Sequence, residues 1–266
     1  MKLVQEWLRS PLRAKRLLKS FIVQDIQSQV AGSAGGIAWT VIRPAMTLIL
    51  YGFIFSVVLK LKLDLEDVGT GSFTLYLLTG LIPWLAFSDA IARAPNLLIE
   101  KSNIISKVQF PVAIIPYALT ATSFVLNGVG MALLVLVLIV TEGIAWSWLW
   151  LPPAYLALFI FTTGIVAFLA ALGIFLRDTA QVIAIILPFA FYLTPILYPI
   201  AMVPESYQYI YNLNPMIPFI ESFHSILLIG VIPVNDLILS FVLSSLSFVL
   251  GGYFFMRMRN AFYDVV

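Results

Sequence analysis

The 266 residues contain no cysteine and only one histidine. Disulfides and thiolate metal sites are therefore excluded, the redox compartment stays open, and a transition-metal centre lacks the ligands it needs. Charge is nearly as scarce. Asp, Glu, Lys and Arg make up 11% of the chain and hydrophobic residues 61%, whereas a water-soluble domain carries about 25% charge. With a mean hydropathy of +1.02, an ordinary soluble domain is excluded. The formal net charge of +2 is too small an imbalance to argue for nucleic acid as a partner. The Gly-x-x-x-x-Gly-Lys-Ser/Thr spacing of a nucleotide-binding loop is nowhere met, so this chain is not expected to hydrolyse ATP itself. Paired carboxylates deep in an apolar run are missing too, because Asp89, Glu142 and Asp178 stand at the ends of such runs. An enzyme reading would rest on Glu221 and His224 alone.

What the chain has in quantity is apolar length. Runs at about 37–59, 73–92, 111–140, 154–176, 181–200 and 235–256 match the roughly 20 residues a helix needs to cross a hydrocarbon layer about 30 Å thick. The expected fold is an all-α integral membrane protein, a single transmembrane domain over 1–266 with six transmembrane helices. An N-terminal amphipathic interface helix precedes them, and short exterior re-entrant or interfacial helices come before the last span. The arm ahead of the first run carries Lys2, Arg9, Arg13, Lys15, Arg16 and Lys19 against Glu6 and Asp25. It shows no small-residue cleavage site with a mature domain behind it, so it reads as the flank of a retained first span. Basic flanks stay on the cytoplasmic side. With both termini inside, only Lys60 and Lys62 of the 15 lysines and arginines fall outside.

Within this frame, apolar residues recur at helical spacing over 3–22, with Pro11 as a point where the helix can divide. Such a helix can lie in the interface with Trp7 at headgroup depth, or serve only as a topogenic flank. Gly32 and Gly36 permit either close helix contact or a bend. Asp89 and Arg93, four apart at the trailing end of the second run, can pair as an interfacial anchor or as a functional charge pair. The segment 94–110 returns to the cytoplasm as an amphipathic stretch. Trp146, Trp148 and Trp150 form a belt, the other use of such a cluster being a stacking platform for sugar. In the fifth run Pro188, Pro195 and Pro199 break the hydrogen-bond ladder among Phe189, Phe191, Tyr192, Tyr198 and Tyr207. Broken helices at membrane depth are tolerated only against protein or a water-filled cavity. The stretch 201–233 then holds an apolar piece too short to cross, with Glu221 and His224 three apart, either a gate pair or plain polar surface.

Ionisable groups at the midplane, usual in proton- or sodium-driven carriers, are absent, so the energy source is expected in a cytoplasmic partner. Residues 17–59 resemble the opening of the membrane subunits of ABC-2 type exporters that move O-antigen, capsular polysaccharide or teichoic acid. Asp25, Ser33, Gly36, Trp39, Pro44, Phe55 and Ser56 stand at the matching places. Residues 96–120 resemble that family's coupling segment, with Asn96, Leu98, Ile99, Lys107, Phe110, Pro111 and Pro116 in order, and 213–227 its exterior segment. The chain departs from the pattern at Gln24, Gln29, Val30, Arg43 and His224, where a basic residue, Arg-Tyr, Asn and Arg are usual.

The resemblance implies a homodimer in the bacterial inner (cytoplasmic) membrane with both termini cytoplasmic. It also implies two ATP-binding cassette subunits that carry the ATP and Mg, this chain holding no cofactor, and lipid-linked polysaccharide as cargo. On that basis Tyr51, Trp84, Phe87, Phe191, Tyr192 and Tyr198 are candidate channel lining, and Arg9, Arg13 and Arg16 would meet the lipid diphosphate. Asn96, Glu100, Lys101 and Lys107 would dock the partner, and Glu221 with His224 would form an exterior gate. The rival readings are an exporter of the same architecture for a small hydrophobic drug or lipid, and a non-transporting membrane scaffold.

Overall fold

The structure, a computed structural model, describes residues 2–61, 72–102 and 111–265. Every regular element among them is helical. The basic arm forms α1 (Lys2–Arg13) and α2 (Lys15–Val30), and the division falls at Ala14 instead of Pro11. Pro11 has no N–H to give to the carbonyl of Trp7 four residues back. That carbonyl instead accepts from Ser10 Oγ at 2.8 Å and from the Tyr117 hydroxyl at 3.0 Å, so α1 runs on through the proline. The chain then turns at Gly32 and Gly36, whose φ angles are +73° and +48°. A methyl group on either would meet nothing within 4 Å, which assigns both to the bend and not to close packing.

The first span is α3 (Trp39–Gly52), prolonged by wide turns over Phe53–Val58. After it come α4 (Phe73–Arg93), the short α5 (Leu97–Glu100), α6 (Ile114–Thr141), α7 (Leu151–Phe175) and α8 (Thr179–Tyr192). Two short helices follow, α9 (Glu205–Asn212) and α10 (Ile217–His224, prolonged to Ile229), and then α11 (Val234–Val265). Among the described residues, five stretches are long and apolar enough to cross a membrane, Gly36–Val58, Phe73–Glu100, Ile114–Thr141, Trp146–Phe175 and Val234–Phe262. The remaining crossing is made differently. Helix α8 has 14 residues, about 21 Å at 1.5 Å per residue, and turns through 193–200 carry the chain onward.

Helix packing in lipid relies on van der Waals fit and on small residues that let backbones approach. The main pairing, α7 with α11, shows both. A side chain at Gly251 would overlap the carbonyl of Gly164, and one at Gly164 would overlap the backbone of Ser247. Ser244 Oγ donates to the carbonyl of Ala157 at 2.6 Å and Ser247 Oγ to that of Phe161 at 2.9 Å, each such bond contributing about 0.6 kcal/mol.

The same device seats the peripheral pieces. Gly252 on α11 leaves room for the indole of Trp7, and Gly173 on α7 leaves room for the carbonyl of Pro95 just before α5. Trp7 is 0% exposed and packs on Tyr117, Phe248 and Phe255 with ring centroids 4.4, 5.6 and 5.9 Å away. The indole of Trp7 therefore faces the bundle, where the amphipathic pattern alone would let it face lipid headgroups. A Glu6–Arg259 ion pair adds a polar link, so α1, α5 and the trailing ends of α7 and α11 gather at one end of the bundle. At the other end α10 dips inward. Phe219, Ile220, Phe223 and Ile226 are buried against α4, α7 and α11, and the segment closes at Gly230, φ +77°. Helix α10 is thus packed into the bundle and not laid loosely on its surface, and Ser147 Oγ donates to the carbonyl of Ile226 at 2.7 Å.

Candidate functional site

A connected set of polar side chains joins α2, α4 and α6 where they meet. The spacing of Asp89 and Arg93 predicts a pair on one helical face. They stand at 3.8 Å, but the closer partner of Arg93 is Asp25 on α2, whose two carboxylate oxygens lie 2.7 Å from Nη2. Asp89 accepts in turn from Ser123 Oγ of α6, and Asn127 Nδ2 donates to the Ser123 carbonyl at 2.9 Å. Arg93 thus ties the interface helix to the end of the second span, one residue before the turn that leads into α5.

Beside this network lies a cavity of about 500 Å³ between α2, α3, α4, α6 and α8. Its polar lining includes Gln29, Thr40, Arg43, Thr47, Ser88, Asp89 and Asn127, with Trp39 at one side and Ile82, Leu85, Leu126 and Leu187 among the apolar walls. The fit of Pro44 against Gly130, where a methyl would lie 3.2 Å from the proline Cβ, brings α3 close enough to α6 to form the cavity. Arg43 has no carboxylate within ion-pair distance among the described residues, and Gln29 Nε2 is buried with no hydrogen-bond partner among them. Sequence reasoning placed Arg43 only as a topogenic charge and a departure from a motif. The signal that marks it is its position inside an apolar span, where a guanidinium is costly unless it faces protein or water.

The candidate channel residues fall in two settings. Trp84 and Phe87 are 4% and 7% exposed. They are packed inside the single chain against Phe191 and Phe161, with centroids 5.8 and 6.1 Å away. Tyr51, stacked on Phe55 at 6.0 Å, and Phe191, Tyr192 and Tyr198 lie nearer the surface. The broken part of the fifth crossing is secured by side chains from elsewhere. The Tyr76 hydroxyl donates to the carbonyls of Pro195 at 3.0 Å and Tyr198 at 3.3 Å. Asn214 Nδ2 donates to the Leu193 carbonyl at 3.0 Å and to Thr194 Oγ1 at 2.9 Å. Backbone groups that the prolines free from a helix are satisfied in this way, as membrane depth requires. The hydroxyls of Tyr198 and Tyr211 meet at 2.5 Å.

His224 is 3% exposed. Its ring stacks 4.1 Å from that of Tyr76, over Gly80, and neither ring nitrogen has a hydrogen-bond partner among the described residues. Glu221 is half-buried one turn away, and no hydrogen bond joins the two. On the opposite end Arg9, Arg13 and Arg16 are all exposed. Arg13 lines a cleft of about 600 Å³ with Glu6, Ser10, Pro111 and Arg259. In the docking segment Asn96 and Glu100 are exposed and Lys101 half-buried, while Leu97 and Leu98 face inward. Lys107 lies outside the described residues.

Comparison with known proteins agrees with this architecture. The chain is 26% identical over 247 residues to an O-antigen export system permease protein, RfbA, of Klebsiella pneumoniae, covering 91% of this chain and 92% of the relative. It is 25% identical over 224 residues to the RfbA of Myxococcus xanthus, covering 82% and 83%. The family model described as ABC-2 type transporter matches residues 16–228, from α2 to the end of α10, and on that match the chain belongs to the ABC-2 type transporter family.

Proposed function

We propose that this chain is the membrane subunit of an ATP-driven exporter that moves a lipid-linked polysaccharide of the O-antigen type across the bacterial inner membrane. The observation that carries this reading is the similarity, over 91% of the chain, to a permease named for O-antigen export. The subunit acts as a homodimer with both termini in the cytoplasm, and two copies of a separate ATP-binding cassette subunit dock on 94–110. That places the end of the bundle holding α1, α5 and Arg259 on the cytoplasmic side. The seating of Pro95 on Gly173 and the Asp25–Arg93 link join the described start of that segment to the fourth span and to α2, a route by which the partner's movement reaches both. Arg9, Arg13 and Arg16, exposed on that side, meet the diphosphate of the lipid.

A long hydroxyl-rich polymer must slide, so its contacts must be weak and repeated. Tyrosine rings with an apolar face and a polar tip suit that task. Tyr51, Phe191, Tyr192 and Tyr198 are the lining residues this reading retains, Trp84 and Phe87 acting from behind them as packing. The exterior gate is the re-entrant α10 with Glu221 and His224.

The decisive experiment deletes the chain in its host and locates the polymer. Polymer stalled on the cytoplasmic face, and rescued by the intact chain together with an ATP-binding subunit, is the expected result. Normal surface polymer in the deletion strain, or ATPase activity of the purified assembly that rises with small hydrophobic compounds and not with lipid-linked glycan, overturns it.

A further inference from the structure

We propose that the cavity beside the first span is a saccharide subsite, a place where a short stretch of neutral sugar is held within this chain; the inference rests on the polysaccharide reading above. Three observations point to it. The first is the composition of the wall. Trp39, Arg43, Gln29, Asp89, Asn127 and Thr40 line one space, which combines an aromatic platform with four planar polar side chains. An indole offers an apolar face to the C–H side of a sugar ring. Guanidinium, amide and carboxylate planes can each span two neighbouring hydroxyls with paired hydrogen bonds.

The second is hydrogen-bond capacity left over after the protein has used its own. Gln29 Nε2 is buried without a partner, and Arg43 has no carboxylate within ion-pair distance among the described residues. Asp89 uses Oδ2 for Ser123 and Arg93, which leaves Oδ1 to accept, on a side chain 40% exposed. Thr40 donates to the Ile37 carbonyl at 2.7 Å, so its oxygen is presented as an acceptor. Donors and acceptors are both on offer, as a hydroxyl requires. A phosphate would use the donors and be repelled by Asp89.

The third is charge and size. The ionised groups in and next to the cavity cancel, Arg43 and Arg93 against Asp25 and Asp89, which favours a neutral ligand. The volume of about 500 Å³ lies within the roughly 300–1,000 Å³ of small-ligand sites. Trp39 is also held in place. Its indole folds back over Gly35, where a methyl would lie 2.6 Å from Nε1.

The test is saturation-transfer NMR on the full-length chain in lipid nanodiscs. The probes are the methyl glycosides of glucose, galactose, mannose and rhamnose, with maltose as a longer probe and inorganic pyrophosphate as the anionic control. At least one sugar should give transfer, with an affinity that falls at least about tenfold, equivalent to 1.4 kcal/mol, in Trp39→Ala and in Arg43→Met. Leu136→Ala, in a neighbouring apolar groove and not on the cavity wall, should leave it unchanged. Should Trp39→Ala fail to fold, Trp39→Tyr keeps a stacking face and should retain most of the signal, while Arg43→Lys keeps the charge, loses the planar fork and should still weaken binding. Absence of transfer from every sugar, transfer indifferent to both positions, or pyrophosphate displacing the sugar or binding in its stead overturns the proposal. Because the readout is binding to the purified chain, its failure alongside intact polymer export removes only the subsite. Failure of the export reading shows instead in the deletion strain.

Discussion

Arg93 holds Asp25 through one nitrogen, Nη2, 2.7 Å from each carboxylate oxygen, across 68 residues of sequence. The contact is partly buried, the two side chains being 30% and 14% exposed, and its other neighbour, Asp89, stands farther off at 3.8 Å. Removing one member leaves the other in a site built for a charge pair, which costs more than removing both. Asp25→Asn and Arg93→Gln should each lower the melting temperature of the purified chain, and the double variant should cost less than the sum. A coupling energy of about 0.5–3 kcal/mol is expected from the cycle. Strictly additive losses would mean that the interface helix is held by its apolar contacts alone.

The crossing of α7 and α11 makes a different kind of prediction, because two glycines in helices should respond with opposite signs. At Gly251 a methyl group overlaps the Gly164 carbonyl, whereas at Gly52 it meets nothing within 4 Å. Gly251→Ala is expected to cost about 1–3 kcal/mol through forced backbone separation. Gly52→Ala should be neutral or should stabilise by up to about 1 kcal/mol, the helix-propensity difference. Thermal unfolding in the same detergent compares them directly, and equal effects at the two positions would refute the packing argument.

The contrast between these glycines shows what the sequence does and does not disclose. Apolar runs reveal the spans, because hydrocarbon thickness acts on local sequence. Pro195 likewise announces the break in the fifth crossing, since a missing N–H is a local fact. Trp7 does not announce its burial. An amphipathic helix looks the same whether its apolar face meets lipid or the groove at Gly252, and the groove is supplied by residues more than two hundred positions away. Asp25 and Arg43 are opaque for the same reason. Asp89 sits at the right helical spacing for Arg93, so local reasoning chooses it, while the stronger partner arrives only through tertiary packing of α2 on α6. The Trp39 cavity needs five helices to exist and leaves no periodic trace.

Where α10 packs on α4, Gly80 and His224 should behave as a matched pair. A methyl at Gly80 would stand 2.9 Å from His224 Nε2 and 3.3 Å from a methyl of Ile220, so Gly80→Ala pushes the imidazole away from Tyr76. The imidazole is buried with no partner for either nitrogen among the described residues, so its loss removes little hydrogen bonding. His224→Ala should therefore suppress the defect of Gly80→Ala, the double variant melting closer to the parent than Gly80→Ala does. A double variant worse than both singles would show that the two positions do not share that space.

Trp7 anchors the interface helix. It is the largest of the fully buried side chains and reaches aromatic partners on both α6 and α11. Truncation to alanine should cost about 3–5 kcal/mol, the usual range for a buried tryptophan. Because Trp7 is the one apolar side chain of α1 that is fully buried, that loss is expected locally, as detachment of α1, before the bundle unfolds. Limited proteolysis should then cut near Ala14, where the backbone leaves the helix, while the melting of the remaining spans changes little. Gly252→Val should reproduce the phenotype from the other side by filling the space the indole occupies. Trp7→Phe should restore most of the protection, since a phenyl ring still reaches Tyr117. A chain whose α1 stays protease-resistant in both Trp7→Ala and Gly252→Val would place the anchor elsewhere, with the Glu6–Arg259 ion pair as the next contact to remove.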